Sequence, residues 1–311
     1  MSGPVAQMLA ADATATALAA TEVATEAAAP AWGAGATAAA ICLGGTVLTV
    51  VLGKYARDLL LIRRGIQPEQ AITRDDNVAV AVETAGFAVA VVIGLLGSFA
   101  GQADNPVGLA SELLTTALLV NGLLLLNDRL TTHVLLRGLD ADREVGEKGN
   151  LAVALVRTAS ALASAQVLRG ALGHDSALLD RVLWVLVGQV GLYLLSVVHQ
   201  RLTHYDDLAE LRKRNIAAAW PMAGILLAAG IVVDASLRGA SAGWAADLLS
   251  VGIDLAVSAA LLHLLRTGAD ALFLPGARFH DEIAKDHNAG AGILEAAAYV
   301  ASAMAVAWFL V

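Results

Sequence analysis

The chain has 311 residues, of which 58% are hydrophobic and 15% are charged, with 29 glycines and a formal net charge of −8. A soluble domain has roughly 45–50% apolar residues, glycine included, and about 25% charged ones. This composition, with a mean hydropathy of +0.68, therefore indicates an integral membrane protein. The negative charge argues against nucleic-acid binding, and a single cysteine, Cys42, excludes a disulfide framework or a cysteine-built zinc site.

The first segment, residues 1–33, is rich in Ala and Thr and contains no Lys or Arg. A secretory signal peptide carries a basic region ahead of its apolar core. We therefore interpret this segment as a tail, flexible or loosely helical, and not as a cleaved signal.

Eight apolar stretches follow, each close to the ~20 residues that a helix needs to cross a bilayer core of ~30 Å. They show none of the alternation of period two that is typical of barrel strands, so they predict an all-α bundle of eight transmembrane helices. The predicted spans are 34–55, 77–100, 107–127, 150–171, 178–199, 215–236, 242–265 and 288–310.

The basic residues predict the orientation of the bundle. Of the 20 Lys and Arg residues, 16 lie in four of the connecting segments: 54–76, 128–149, 201–214 and 266–287. Because cytoplasmic loops carry an excess of Lys and Arg, we expect these four segments in the cytoplasm. Both termini then lie outside a bacterial cytoplasmic (inner) membrane, an N-out/C-out arrangement.

An internal repeat is marked by an asparagine that opens every second span. These residues are Asn77, Asn150, Asn215 and Asn288. Their spacings of 73, 65 and 73 make both 77→215 and 150→288 equal to 138, so a two-helix unit is used four times and a four-helix half twice. The predicted halves are 34–173 and 174–311. All repeats start on the same side, so they are parallel and not inverted.

The asparagine side chain suits the start of a helix, because its oxygen can accept from backbone N–H groups that lack intrahelical partners. The small residues that follow it allow close helix packing in lipid. A ring of four amides with a functional role is the alternative interpretation of the same pattern.

The polar run that closes in Asn-x-Ala-x-Ala resembles the bacterial membrane proteins that carry domain of unknown function 350, the YjfL-like group. The third copy, 204–219 followed by Gly224, is the most typical, whereas Gly290 and Gly292 replace alanines in the fourth. The resemblance covers roughly 36–311. It implies a multi-spanning inner-membrane protein built from such repeats, in a family with an unestablished role and a suggested link to envelope stress, and it brings no catalytic residues with it.

An ionisable residue within a membrane span costs free energy on insertion, so its presence suggests a functional role. With a rise of 1.5 Å per residue, five polar residues from five different spans are expected in one layer, about 9–12 Å from the cytoplasmic boundary. This predicted polar layer consists of Glu83, Asn121, Arg157, Asp254 and Glu295.

The role of this layer stays open among three interpretations. Arg157 and Glu295 are 138 residues apart and could face each other as a structural ion pair. Three carboxylates against one arginine could instead leave a protonated acid for a proton or cation pathway. Some of these residues could also face a partner chain.

The function that we expect is that of a non-enzymatic membrane scaffold or envelope-maintenance component, and the alternative is a proton or small-cation channel or transporter. There is no nucleotide-binding motif, no HExxH and no nucleophile placed with a His and an acid. We therefore expect no catalytic residues, cofactor or metal. The expected partners are the lipid bilayer and a cytoplasmic protein at 54–76, 128–149, 201–214 and 266–287, and a homo-oligomer is compatible with the pattern.

Overall fold

The computed structural model of the protein describes residues 32–98, 105–173, 177–203, 205–238 and 242–310. Of the predicted tail 1–33, all but the last two residues lie outside these ranges. Within them all regular secondary structure is helical, and eight helices are long and apolar enough to cross a membrane. The prediction of an eight-helix, all-α membrane bundle is confirmed.

Each of the four units consists of a long helix, a short helix and a second long helix. The first long helices are α1 (Trp32–Ile62), α4 (Pro106–Leu130), α7 (Leu178–Leu202) and α10 (Trp244–Phe273). The short helices are α2 (Pro68–Thr73), α5 (Ala141–Gly146), α8 (Asp207–Arg212) and α11 (Phe279–Ala284). The second long helices are α3 (Val78–Leu95), α6 (Leu151–Leu172), α9 (Ile216–Ser236) and α12 (Ala289–Leu310). We call the side with the short helices the basic side.

All four first helices extend further toward the basic side than their apolar stretches suggest, α1 and α10 by the most. Helix α1 continues to Ile62 and α10 to Phe273, past the predicted span ends at 55 and 265. Hydropathy falls at the first charged residue, but the backbone stays helical because its hydrogen bonds do not depend on polarity. Arg57 and Arg266, predicted as loop residues, therefore lie on membrane-spanning helices.

The second helices form a row in chain order, α3–α6–α9–α12, and these neighbours make the most extensive helix contacts in the bundle. Glycine allows this close approach: a Cβ atom on Gly224 of α9 would lie 2.5 Å from Cα of Ala296 on α12, and one on Gly230 would lie 2.7 Å from Cα of Ala163 on α6. Small residues at helix contacts are how helices associate in lipid. Helix α9, in the middle of the row, is the most buried span, whereas α1 and α10 are mostly exposed.

Candidate functional site

The same backbone geometry precedes the second long helix in all four units. The residue before each asparagine has a positive φ, from 49° to 62°, and these residues are Asp76, Gly149, Arg214 and His287. This left-handed turn ends the short helix and lets the asparagine begin the next one. Each asparagine then caps its helix, since Oδ1 accepts from the backbone N–H of Val80, Val153, Ala217 or Ala291.

The amide nitrogen of the asparagine joins one unit to the next. Asn77 Nδ2 donates to the carbonyl oxygen of Val145 at 2.9 Å, which lies on the short helix of the second unit. In the same way Asn150 Nδ2 donates to Leu211 O and Asn215 Nδ2 to Ile283 O, both at 2.9 Å. The amides therefore form a series along the chain and do not converge as a ring.

In the last three units, the asparagine amide also donates a hydrogen bond to the glutamate of its own short helix. Asn150, Asn215 and Asn288 donate to Glu144, Glu210 and Glu282, at 3.0, 2.9 and 2.9 Å. Burial alone would raise the pKa of Glu210, but the hydrogen bonds from Lys213 and Asn215 outweigh it and hold the pKa below its ordinary value. Asn150 and Asn215 are buried, whereas Asn288 is exposed at the end of the series.

Five charged side chains from five helices meet in the first half, near the basic side; we call them the Arg157 cluster. The members are Arg57, Glu83, Asp128, Asp142 and Arg157. Arg57 Nη2 lies 2.7 Å from Glu83 Oε2, and Arg157 Nη1 lies 3.1 Å from Glu83 Oε1. Arg157 also donates from Nε to Asp128 Oδ1 at 3.1 Å, and its Nη2 lies 3.2 Å from Asp142 Oδ1. Both arginines and Glu83 are buried, so their charges are neutralised by one another and not by water.

Two cavities flank this cluster. One of about 30 Å³ lies inside, between Arg57, Phe87, Asp128 and Arg157. The other, about 410 Å³, opens on the basic side. It is lined by Arg64, Arg129, Thr132, His133, Asp140, Asp142, Arg143 and Glu147 together with Ile66 and Leu139. Asp142 lines the larger cavity and pairs with Arg64 as well as with Arg157.

The second half holds a different set of buried polar groups, which we call the Glu295 cluster. The members are His199, Asp207, Arg266, Glu295 and Tyr299. Arg266 Nε donates to Glu295 Oε1 at 2.7 Å. The Tyr299 hydroxyl lies 3.2 Å from His199 Nδ1, and the two rings meet edge to face. Asp207, at the start of α8, accepts from the Thr203 hydroxyl at 3.0 Å.

The carboxyl of Asp207 is perturbed by its surroundings. Burial raises the pKa of Asp207 to about 7, the Thr203 hydrogen bond opposes this shift, and the nearby carboxylate of Glu295 adds to it. A group with that pKa changes charge near neutral pH, unlike an ordinary aspartate.

One ion pair occupies equivalent positions in the two halves with its charges exchanged. Asp128 and Arg157 lie 29 residues apart, as do Arg266 and Glu295, and the period of 138 relates the first pair to the second. The acid is thus on α4 and the base on α6 in the first half, whereas the base is on α10 and the acid on α12 in the second. This spacing was the sequence signal that could have identified Asp128 and Arg266.

The predicted polar layer is divided between these clusters. Glu83 and Arg157 belong to the first cluster and Glu295 to the second, so Arg157 and Glu295 pair within their own halves and not with each other. Asn121 lies seven residues before Asp128, about 10 Å further from the basic side, where it donates to the carbonyl oxygen of Thr49 at 3.3 Å. The depth argument placed it too near the basic side because α4 extends beyond its predicted end.

Asp254 also lies apart from both clusters. It is 12 residues before Arg266 on α10, about 18 Å away along the helix axis, and it interacts with Ser236, the last residue of α9. Because α10 has 30 residues, the distance from its apolar end misjudges the depth. Among the residues that the structure describes, no group of three or more His, Cys, Asp or Glu is placed to hold a metal ion.

Comparison with known proteins gives one match. The family model described as Domain of Unknown Function (DUF350) matches the chain twice, over residues 27–172 and 173–310. Each match corresponds to one four-helix half, so the internal repeat is confirmed. No curated protein and no solved structure matches the chain.

Proposed function

Because the chain belongs to the DUF350 family, whose description assigns no activity, we propose a function from the bundle itself: it is a non-enzymatic membrane scaffold. In this proposal the row α3–α6–α9–α12 is a rigid frame that presents the short helices to a protein partner. The excess of Lys and Arg on the basic side supports its location in the cytoplasm, with the bundle in a bacterial inner membrane.

The observation that carries this proposal is the closed character of the Arg157 cluster. The acids Glu83, Asp128 and Asp142 face three arginines, because Arg57 and Arg64 join Arg157. The surplus negative charge that would favour an ion pathway is therefore lost in this half. The cavity inside the cluster holds about 30 Å³, room for about one water molecule, whereas small-molecule sites typically have about 300–1,000 Å³.

The larger cavity supports a partner on the basic side. Its walls carry charges of both signs, among them Arg129, Arg143, Asp140 and Glu147. A mixed lining of this kind suits the polar side chains of a protein segment better than a single ion. The cavity is lined by the short helix α5, the segment before it, the residues that follow α1 and the end of α4, so it lies at the basic side and not across the bundle.

Two measurements test the scaffold. Purified protein in liposomes should show no more proton or monovalent-cation flux than empty liposomes, over a range of pH and voltage. A photo-crosslinking residue in place of His133, at the cavity wall, should capture one discrete protein in cells, whereas the same residue in place of exposed Lys285 should not. Flux above the control, or no capture from position 133, would contradict the proposal.

A proton or small-cation transporter is the second candidate, and the Glu295 cluster favours it. There, Asp207 and Glu295 are buried beside one arginine, Arg266. If this candidate is correct, the liposomes will show flux that Glu295→Gln abolishes and that Glu112→Gln, at the other end of the bundle, leaves intact.

A further inference from the structure

The Glu295 cluster contains more buried negative charge than its hydrogen bonds accommodate. Asp207 and Glu295 are only 5% and 1% exposed. Arg266 donates to one oxygen of Glu295, and the other oxygen, Oε2, is buried without a hydrogen bond. His199 Nε2 is likewise buried without one, although its Nδ1 contacts Tyr299.

The charges that face Asp207 are unevenly balanced. Arg266, from α10, is the cation that acts on it among the described residues, whereas Glu295 from α12 and its neighbour Asp206 are anionic. The phenols of Tyr205 and Tyr299 also face it, and burial raises the pKa of Tyr205, which keeps that ring neutral. Asp270 of α10 acts on Glu295 and Tyr299, and its Oδ1 accepts from the backbone N–H of Phe279.

A buried carboxylate without a cation of its own is stabilised by taking up a proton. Arg266 can compensate one ionised carboxylate, and Glu295 already occupies it. The Arg157 cluster also contains buried atoms without a hydrogen bond, namely Glu83 Oε1, Asp142 Oδ1 and Arg157 Nη1. It differs in its ion pairs, since each of its three carboxylates has an arginine within ion-pair distance, whereas Asp207 has none among the described residues. The shortage of cations is thus a property of the second half and not of the fold.

We infer that the Glu295 cluster is a proton-binding site, in which Asp207, buried with the Thr203 hydroxyl as its hydrogen-bond donor and with no ion pair among the described residues, holds one exchangeable proton. With the proton bound, the two carboxyls and Arg266 have no net charge. Without it, one negative charge stays buried at the start of α8, which packs against α9. The negative charge of Glu295 disfavours a second negative charge on Asp207, so a change at Glu295 should shift the pH at which Asp207 loses its proton. This inference goes beyond the scaffold function and requires no flux across the membrane.

The sign of the linked stability change follows from the direction of the shift. The pKa of Asp207 is raised to about 7 in the folded protein, above the ordinary value of about 4. The folded state therefore binds the proton more tightly than the unfolded chain. Stability falls as the pH rises between these values, and it stays constant above the higher one.

Infrared difference spectroscopy of the full chain in lipid nanodiscs tests the site, since a protonated carboxyl has a C=O stretch that a carboxylate lacks. We expect one such band that is lost with a midpoint near pH 7. Wild-type protein without a carboxyl band that titrates around neutrality would overturn the inference, whatever the variants do.

Three variants assign the proton. Asp207→Asn should abolish the titrating band, because Glu295 then stays ionised in its ion pair with Arg266. Glu295→Gln should move the midpoint to lower pH, because Arg266 is freed and the repulsion of Asp207 is removed. Asp142→Asn, the matched control from the Arg157 cluster, should leave band and midpoint unchanged. A band that survives Asp207→Asn at its original midpoint would overturn the assignment, and neither result depends on whether liposomes show flux.

Discussion

The Arg157 cluster and the Glu295 cluster are built at equivalent positions of two similar halves, and they balance their charges by different means. In the first, Asp128 and Arg157 are joined by Glu83 and its second arginine, Arg57. In the second, Arg266 and Glu295 exchange the signs of that pair. The fold therefore requires opposite charges at these two positions, whereas the neighbours decide which sign each carries and whether a proton must complete the balance.

The largest effect that separates the clusters should come from Arg157→Met. It leaves Glu83, Asp128 and Asp142 buried or half-buried with one fewer cation. We expect a loss of about 3–5 kcal/mol in the free energy of unfolding, since removing one partner of a buried ion pair leaves the charge of the other uncompensated. Titration with a denaturing detergent measures it. Arg143→Met, on an exposed pair with Glu147, is the control and should change little.

Exchanging the signs of each pair should affect the two halves unequally. Asp128→Arg with Arg157→Glu puts a carboxylate against Glu83, so it should lose about as much stability as Arg157→Met. Arg266→Asp with Glu295→Arg instead brings a guanidinium to α12, near Asp207, and should fold with nearly wild-type stability. Equal losses in the two double variants would contradict the dependence on neighbours.

The row of second helices offers a test of packing that does not involve charge. A Cβ atom on Gly292 of α12 would overlap the carbonyl oxygen of Ala217 on α9. Gly292→Ala should therefore lower stability by about 1–3 kcal/mol, the usual range for overpacking. Gly252→Ala is the matched control in another spanning helix, because no atom lies within 4 Å of its added Cβ. If Gly292→Ala leaves the stability unchanged, α9 and α12 are not in close contact at this position.

The smallest difference should appear between two asparagine caps. Asn150→Ala removes a helix cap, a hydrogen bond to Glu144 and one to Leu211, with a loss of about 1–2 kcal/mol. Asn288→Ala removes a cap and the bond to Glu282 from an exposed position, so it should lose less. Chemical denaturation of both variants measures the two losses of stability. A larger loss for Asn288→Ala would contradict the greater importance of the buried asparagines.

The architecture could be predicted from the sequence because its signals are local or periodic. Hydropathy locates eight spans, and the four asparagines give the period of 138. The ion partners were harder to predict, because a hydropathy window ends at the first charge while the helix does not. Arg57 and Arg266 were therefore interpreted as loop residues. Asp207 could not be singled out, since its burial depends on how α8 packs against α9 and the rest of the bundle, which no local pattern encodes.

The series of asparagine amides has a consequence for biosynthesis. Asn77 finds its second acceptor on residue 145, Asn150 on residue 211 and Asn215 on residue 283, always in the unit that follows. A ribosome makes the units in that order, so each one leaves an amide without its acceptor until the next short helix emerges. The three amide bonds between units are therefore completed in order from the N-terminal to the C-terminal unit, and a nascent chain that stops after the first, second or third unit has one amide without its acceptor.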